Sequence, residues 1–200
     1  MIIMSENLIH LLSEDEQRYY RLVTLKKGEI LYHEDDVCKE IGIVMEGEIS
    51  ISSYSYHGEE IIYNLLKEND VFGNNLLFSS NPHYLGNILA KKTAKVALIN
   101  EKSLLYLLQN NQHFLLHYLN IQSDFSKKLN STIKLLSFSN AEERFLYYLF
   151  LHNDRLIYTN VTSLSKALFL QRETLSRLLT RLVQEAKITR NRHLITLIKD

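Results

Sequence analysis

Glycine and proline are confined to the first 86 residues of this 200-residue chain. All six glycines and the single proline lie there. Glycine supplies the positive φ angles that tight turns need. The first part of the chain can therefore turn often, and the rest can be mostly helical. This distribution predicts a strand-rich N-terminal part that ends near residue 100 and a helical part after it.

Seven short segments of the first part have the composition of β-strands. They are rich in Ile, Val, Leu and Tyr, and turn signals such as Glu46-Gly47 and Asn81-Pro82 separate them. The segments are Arg21–Leu25, Glu29–His33, Ile41–Met45, Glu48–Ser53, Glu59–Leu65, Gly86–Ala90 and Thr93–Ile99. Many short strands at a spacing of about ten residues predict a β-sandwich or barrel. We expect this β domain to cover residues 1–109.

Residues 110–138 contain neither glycine nor proline, and apolar residues recur along them at steps of three or four. The stripe consists of Phe114, Tyr118, Ile121, Phe125, Leu129, Ile133 and Leu136. It predicts one long helix with a heptad-like seam and one four-residue stutter. The helix is either an ordinary core helix or the dimerisation helix of a homodimer. The length of the stripe favours the dimer, because the stripe is longer than the core of a small domain can cover. Leu115 and Leu119 form a second stripe that could pack on the strand domain.

The remaining part, residues 139–200, has the pattern of a helix-turn-helix with a wing. Ser139-Asn-Ala-Glu142 is a capping-box sequence that opens a new helix. A short helix from Thr162, a turn at Phe169-Leu170 and a second helix from Gln171 follow, and a basic hairpin begins at Ile188. On the second helix Leu175, Leu178, Leu179 and Leu182 share one arc of about 100° and predict its buried face.

The C-terminal end is basic. Residues 155–200 carry nine Lys or Arg and three Asp or Glu, a net charge of +6, so the rest of the chain carries −6. Such an end indicates an anionic partner, although a solvated surface is the plain alternative. Arginine can donate two hydrogen bonds to guanine, and glutamate can accept one from cytosine. The alternative for this helix face is a Glu173–Arg177 salt bridge in water.

We therefore predict double-stranded DNA as a partner. The wing and Lys166 would contact phosphates, and the second helix would reach the bases. The residues predicted to bind DNA are Lys166, Gln171, Arg172, Glu173, Thr174, Ser176, Arg177, Thr180, Arg181, Arg190 and Arg192.

Other function classes lack their residues. Cys38 is the only cysteine, which excludes a disulfide framework and a Cys₄ site within one chain. No run of 18 apolar residues predicts a membrane span, and the start, Met1–Ser13, lacks the pattern of a signal peptide, so we expect a cytoplasmic protein. No catalytic triad, phosphate-binding glycine loop or paired acid site stands out, so we expect neither an enzyme nor a metal site. His113 and His117 lie one helical turn apart but need a third ligand. Any of the eight histidines could serve as an axial ligand, so the sequence leaves open whether haem binds.

Several segments together resemble the Crp/Fnr family of bacterial transcription regulators. Gln171-Arg-Glu-Thr-Leu-Ser-Arg-Leu-Leu, after Leu164-Ser-Lys-Ala-Leu, resembles its recognition element. The matching segments of the first half are Lys27-Gly-Glu-Ile-Leu, Ile43-Val-Met-Glu-Gly-Glu-Ile-Ser-Ile, Asn69-Asp-Val-Phe-Gly and Thr93-Ala-Lys-Val-Ala-Leu-Ile. The resemblance covers residues 25–198. One departure is Phe169, where the family usually has glycine.

The resemblance implies an α+β fold with three parts. They are an N-terminal antiparallel β-roll of the cyclic-nucleotide-binding type (a double-stranded β-helix or jelly roll), a long dimerisation helix and a C-terminal winged helix-turn-helix. It also implies a homodimer on palindromic DNA, with RNA polymerase as a further partner. Arg172, Glu173 and Arg177 match the base readers of cyclic-AMP-responsive members. Glu173, Ser176 and Arg177 match those of oxygen-responsive members, so we expect a TGTGA-like half-site.

The resemblance also places an effector pocket at Gly73, Asn74, Asn75, Tyr84 and Tyr63. Cyclic-AMP-binding members hold the ribose through a glutamate that follows this glycine and the phosphate through an Arg-Ser pair. Here Asn74 stands where the ribose-binding glutamate is expected, and no basic residue stands where the phosphate-binding arginine is expected. A buried phosphate needs a charge-assisted partner, so we expect no cyclic AMP. Cys38 alone cannot hold an iron–sulfur cluster either. We therefore expect no cofactor, and the effector stays open.

Two alternative functions fit parts of the sequence. A small-molecule-binding β-roll could act through protein contacts without DNA, but the basic end and the Arg172, Glu173 and Arg177 face argue against it. A cupin-like metalloenzyme would need histidines grouped on adjacent strands, and the isolated His33, His57 and His83 do not supply them.

Overall fold

The computed structural model describes residues 7–198 and shows two compact units, Met1–Asp124 and Phe125–Asp200. Part of the Met1–Ser13 segment and the terminal Lys199 and Asp200 of the basic end lie outside the described residues. The boundary between the units lies inside the long helix. The predicted division into 1–109, 110–138 and 139–200 gave that helix a part of its own.

The first unit consists of two antiparallel four-stranded sheets. After two 3₁₀ turns (Leu8–Leu11 and Glu14–Tyr19), the strands are β1 Arg21–Leu25, β2 Ile30–Tyr32, β3 Glu40–Glu46, β4 Ile49–Tyr54, β5 Glu60–Leu66, β6 Val71–Phe72, β7 Asn87–Ala90 and β8 Ala94–Asn100. The order is β1-β8-β3-β6 in one sheet and β2-β7-β4-β5 in the other. The α+β class and the N-terminal β-roll are confirmed.

The seven predicted strands are present, each with its ends within one residue of the prediction. Sequence reasoning missed β6, because two residues after a turn carry no readable alternation. Gly42 on β3 explains how β6 packs there. A Cβ atom at Gly42 would lie 2.0 Å from the ring of Phe72, so only glycine leaves room for that ring.

The helices after β8 are α1, Glu101–Asn110, and α2, Gln112–Ser137. Asn111 separates them. Its Oδ1 atom accepts a hydrogen bond from the backbone N–H of Phe114 at 3.0 Å, which caps the start of α2. Its Nδ2 atom donates to the carbonyl oxygen of Leu11 at 3.2 Å. The predicted long helix is therefore present, beginning two residues later and ending one residue earlier than predicted.

Two of the predicted seam residues do not lie on an exposed face. Phe114 is fully buried in the core of the first unit, and Tyr118 is buried there too. Ile121 packs against the same core. The prediction failed because a helical stripe looks the same whether it packs on a sheet or on a second helix. Leu119, predicted to pack on the strand domain, is about half exposed.

Several exposed apolar residues of α2 share a heptad register that is shifted from the predicted stripe. Leu129, Ile133 and Leu136 are each about half exposed, and they belonged to the prediction. Toward the start of the helix the same steps of three and four lead to Leu119 and the partly exposed Leu115. Gln122 and Ser126 occupy the two heptad positions between Leu119 and Leu129, so the apolar repeat is interrupted there. A 3.5-residue repeat of apolar residues is the pattern of a helix that pairs with another helix.

The second unit is a winged helix-turn-helix. Its elements are α3 Ala141–Leu151, β9 Arg155–Ile157, α4 Val161–Ala167, α5 Arg172–Gln184, β10 Ile188–Asn191 and β11 Leu194–Leu197. The three strands form one antiparallel sheet in the order β10-β11-β9. The capping residue of α3 is Asn140 and not Ser139, because the Asn140 Oδ1 atom accepts from the backbone N–H of Glu142 at 2.8 Å. Strand β9 was not predicted.

Within residues 7–198, no helix combines the length and the apolar character that crossing a bilayer requires.

The burial of Phe114 leads to a prediction about stability. Phe114→Ala removes a fully buried ring and should lower the free energy of unfolding by about 3–5 kcal/mol. Leu116→Ala, on the exposed side of the same helix, should change it by less than about 0.5 kcal/mol. Chemical denaturation of both variants measures the difference. Equal effects would mean that Phe114 is not a core residue.

Candidate nucleic-acid interface

Helix α5 has one buried face and one exposed polar face. Leu175, Leu178, Leu179 and Leu182 are all buried in the core of the second unit, as predicted. The opposite face consists of charged and hydroxyl side chains that are exposed. Because the leucines fix the rotation of the helix about its axis, the polar face has a defined direction.

Four of the predicted DNA-binding residues form a shallow surface depression of about 220 Å³. They are Arg172, Glu173, Ser176 and Arg177. The Nη1 atom of Arg172 lies 3.9 Å from Oε1 of Glu173, and the two side chains are 64% and 70% exposed. An ion pair this exposed contributes little and holds neither group tightly. The ion pair of Glu173 is with Arg172 and not with Arg177, so the salt bridge considered from the sequence is not the one formed.

The other predicted contacts on and before α5 are exposed. Gln171 is the residue before the helix, and its side chain makes no capping hydrogen bond. Thr174 and Lys166 are exposed as well. The Oγ1 atom of Thr180 donates to the carbonyl oxygen of Ser176 at 3.1 Å, so this hydroxyl is turned back onto its own helix.

The turn before α5 has left-handed backbone at Phe169, with φ +53°. Non-glycine residues adopt this conformation at a cost of about 1–2 kcal/mol. Arg144 of α3 stabilises the turn, because its Nη1 atom donates to the carbonyl oxygens of Leu168 and Phe169 at 3.4 and 3.3 Å. Its Nη2 atom donates to the carbonyl oxygen of Phe138 at 2.6 Å. The same backbone turn is thus kept without glycine.

Arg181 takes part in an ion pair with α3. Its Nη2 atom lies 2.6 Å from Oε2 of Glu142, and Lys187 Nζ lies 2.8 Å from Oε1 of the same carboxylate. Hydrogen bonding with Lys187 is the main reason why the pKa of Glu142 is lowered from its ordinary value. The prediction treated Arg181 as an available contact, whereas the structure holds it in an ion pair.

The wing presents one of its two predicted arginines. Arg192 lies exposed in the turn between β10 and β11. Arg190 on β10 is held back, since its Nε atom donates to the Tyr158 hydroxyl at 2.9 Å and its guanidinium lies 5.9 Å from the centre of that ring.

The predicted effector-pocket residues lie in the first unit in different surroundings. Gly73 and Asn74 are buried, whereas Asn75 and Tyr63 are exposed. Tyr84 is buried and stacks on Tyr32, with 4.7 Å between ring centres. Burial is also the main reason why the pKa of Tyr84 is raised. Tyr84 is therefore a neutral core side chain.

Asn74 is bound to helix α2. Its Nδ2 atom donates to Oε1 of Gln122 at 2.6 Å, and Nε2 of Gln122 donates to the Asn74 carbonyl oxygen at 2.8 Å. The Tyr118 hydroxyl donates to that same carbonyl oxygen at 3.3 Å. On the other side of the predicted pocket, the Tyr63 hydroxyl donates to the carbonyl oxygen of Leu85.

In the part of the chain that the structure describes, no group of three or more His, Cys, Asp or Glu is arranged to hold a metal ion. Cys38 is a buried free thiol, and burial raises its pKa. Sequence reasoning missed Glu142 as an ion-pair partner, Arg144 and Tyr158. The sequence pattern at Glu142 indicates only a helix cap, and the other two residues act through contacts distant in sequence.

Comparisons with known proteins agree with this architecture. Residues 22–111 match the family model of the cyclic nucleotide-binding domain. No curated protein sequence matches the chain.

Solved structures of Crp/Fnr regulators match over most of the chain. A mutant of CooA from Carboxydothermus hydrogenoformans is 19% identical and has a TM-score of 0.67, covering 96% of this chain and 91% of its own. The catabolite activator protein of Thermus thermophilus is 18% identical with a TM-score of 0.56, covering 96% and 93%. FixK2 from Bradyrhizobium japonicum is 19% identical with a TM-score of 0.55, covering 90% and 93%. At these identities the likeness shows the fold.

Proposed function

We propose that this chain, which contains a cyclic nucleotide-binding domain and has the fold of Crp/Fnr regulators, is a sequence-specific DNA-binding transcription regulator of that type. The observation that carries the proposal is the exposed face of α5. Arg172, Glu173, Ser176 and Arg177 surround one depression there, opposite the buried leucines. A regulator of this kind works in the cytoplasm with DNA and RNA polymerase.

The chemistry of the face favours a half-site that contains guanine and cytosine. Glu173 accepts a hydrogen bond from the N4 amino group of a cytosine, and Arg177 donates to a neighbouring base edge. Arg172 adds a demand for a further guanine, which together gives a TGTGA-like half-site. A two-fold dimer requires the inverted copy, with half-site centres about 10–11 base pairs apart. Lys166 and Arg192 would bind phosphates, which position the protein without reading sequence.

The homodimer that we propose pairs through α2. Leu129, Ile133 and Leu136 are exposed in the single chain, and Leu119 lies in the same heptad register with the polar residues Gln122 and Ser126 between them. Leucine and isoleucine side chains at such positions stabilise a helix pair by leaving water. Phe114 and Tyr118 are not part of this seam, because the core of the first unit already buries them.

We also propose that the β-roll does not use cyclic AMP. Asn74 replaces the glutamate expected for the ribose and is already bonded to Gln122. The position of the phosphate-binding Arg-Ser pair falls near Tyr84-Leu85-Gly86, and Tyr84 is stacked in the core. A Cβ atom at Gly86 would lie 2.0 Å from the Tyr63 hydroxyl, so Tyr63 fills the space next to that position.

The first prediction of this proposal concerns base reading. Glu173→Ala should relax the preference at the central G·C pair by roughly 1–3 kcal/mol and leave non-specific binding equal or stronger, because an acid is deleted. Glu143→Ala removes an exposed acid elsewhere on the same unit and should keep the preference. Competition binding on all four bases at that position measures both. If Glu173→Ala keeps the wild-type order and spacing, Glu173 is not a base reader.

A wild-type chain that is retained by no DNA duplex would instead favour a module that acts through protein contacts alone.

The second prediction concerns the seam. Leu129→Glu combined with Ile133→Glu should give monomers in sedimentation, since two carboxylates would face their copies across a helix pair. Lys127→Glu changes the net charge by the same amount outside the heptad positions and should stay dimeric. A dimeric double variant would place the interface elsewhere.

The third prediction is that titration calorimetry with cyclic AMP gives no binding heat with the full chain. The pocket lacks a cation for the phosphate, and burying an unpaired anion is costly. A micromolar complex would overturn the proposed pocket.

A further inference from the structure

Glu142 holds two cations at the side of α5. Its Oε2 atom lies 2.6 Å from Nη2 of Arg181, and its Oε1 atom lies 2.8 Å from Nζ of Lys187. The Glu142 side chain is 17% exposed, whereas those of Arg181 and Lys187 are 53% and 49% exposed. One nearly covered carboxylate therefore binds two cations whose outer sides face solvent.

These groups lie next to the exposed polar face of α5, here called the reading face, which carries Arg172, Glu173, Ser176 and Arg177. Arg181 and Glu142 line a second surface depression of about 240 Å³, together with Asn140, Ala141, Thr174, Arg177 and Leu178. Arg177 also lines the depression of the reading face, so the two depressions adjoin.

A helix about 10–12 Å wide fills a major groove about 12 Å wide, and a phosphate backbone runs along each wall of that groove. With α5 in the groove, one backbone strand would pass over the flank that carries Arg181.

We propose that Glu142 takes the place of a DNA phosphate within the protein. It keeps Arg181 out of the phosphate contacts and thereby lowers the part of the DNA affinity that does not depend on sequence. The inference rests on the proposed function and adds a residue that limits its sequence-independent affinity for DNA. Non-specific affinity depends on phosphate neutralisation, whereas base reading uses Arg172, Glu173 and Arg177.

Glu185 is a second carboxylate partner of the two cations that Glu142 binds. Its Oε2 atom lies 2.9 Å from Nζ of Lys187, and its Oε1 atom lies 3.9 Å from Nε of Arg181. When Glu142 loses its charge, Lys187 keeps a close carboxylate partner and Arg181 keeps only a distant one. We therefore expect one cation, Arg181, to become available per protomer.

The experiment compares Glu142→Gln with Glu143→Gln in the full chain. Both variants remove one negative charge, and Glu143 is an exposed neighbour on the same helix. Binding is measured from about 50 to 200 mM KCl on two duplexes of equal length, one with an inverted TGTGA site and one without. Circular dichroism checks that both variants are folded.

For Glu142→Gln, the slope of log affinity against log salt should be steeper than that of the wild type by about one unit per protomer. Each phosphate contact adds about 0.9 to the magnitude of this slope. Affinity for the duplex without the site should rise roughly three- to ten-fold at the low-salt end. Glu143→Gln should keep the wild-type slope. Equal slopes for the two variants would overturn the proposal.

A second variant tests the same point without removing Glu142. Arg181→Gln alone should leave the wild-type salt slope unchanged, and in the Glu142→Gln background it should abolish the gain. A loss of about one unit per protomer in Arg181→Gln alone would contradict the proposal. If the wild type binds DNA but the variants contradict the proposal, only the role of Glu142 is excluded and the proposed function remains. If the wild type binds neither duplex, both the role of Glu142 and the proposed function are excluded.

Discussion

Burial of the leucine face of α5 is the constraint on which the rest of the second unit depends. Leu175, Leu179 and Leu182 are fully covered, so the helix cannot rotate without exposing them to water. Each buried leucine stabilises this arrangement by about 1.5–3 kcal/mol relative to an exposed one. The polar residues between the leucines are therefore presented in one direction, and the surrounding contacts only adjust which of them are free.

Helix α2 serves both units through different residues. Phe114 and Tyr118 complete the core of the first unit, and Leu135 is part of the core of the second. Only the residues that neither core uses remain exposed on the helix. This sharing explains why a stripe that looks continuous in the sequence is divided between burial and exposure in the structure.

Local patterns in the sequence were enough for the strands, the helix-turn-helix and the residues that face outward on α5. Alternation, turn residues and helical spacing act within a few residues of the chain. They could not reveal that Arg181 and Arg190 are engaged, because Glu142 and Tyr158 lie more than 30 residues away from them. The burial of Tyr84 on Tyr32 and the bond between Asn74 and Gln122 likewise join distant segments. The residues of the candidate site could therefore be predicted from the sequence. Which of them are already engaged by other side chains could not.

The left-handed turn at Phe169 has a consequence for how such chains are found. A search pattern that demands glycine there would pass over this chain, although the backbone keeps the conformation for which glycine is preferred. The compensation lies 25 residues earlier, at Arg144, whose guanidinium binds the carbonyl oxygen of the turn. In this chain, Arg144 near the start of α3 therefore accompanies the turn in place of the glycine.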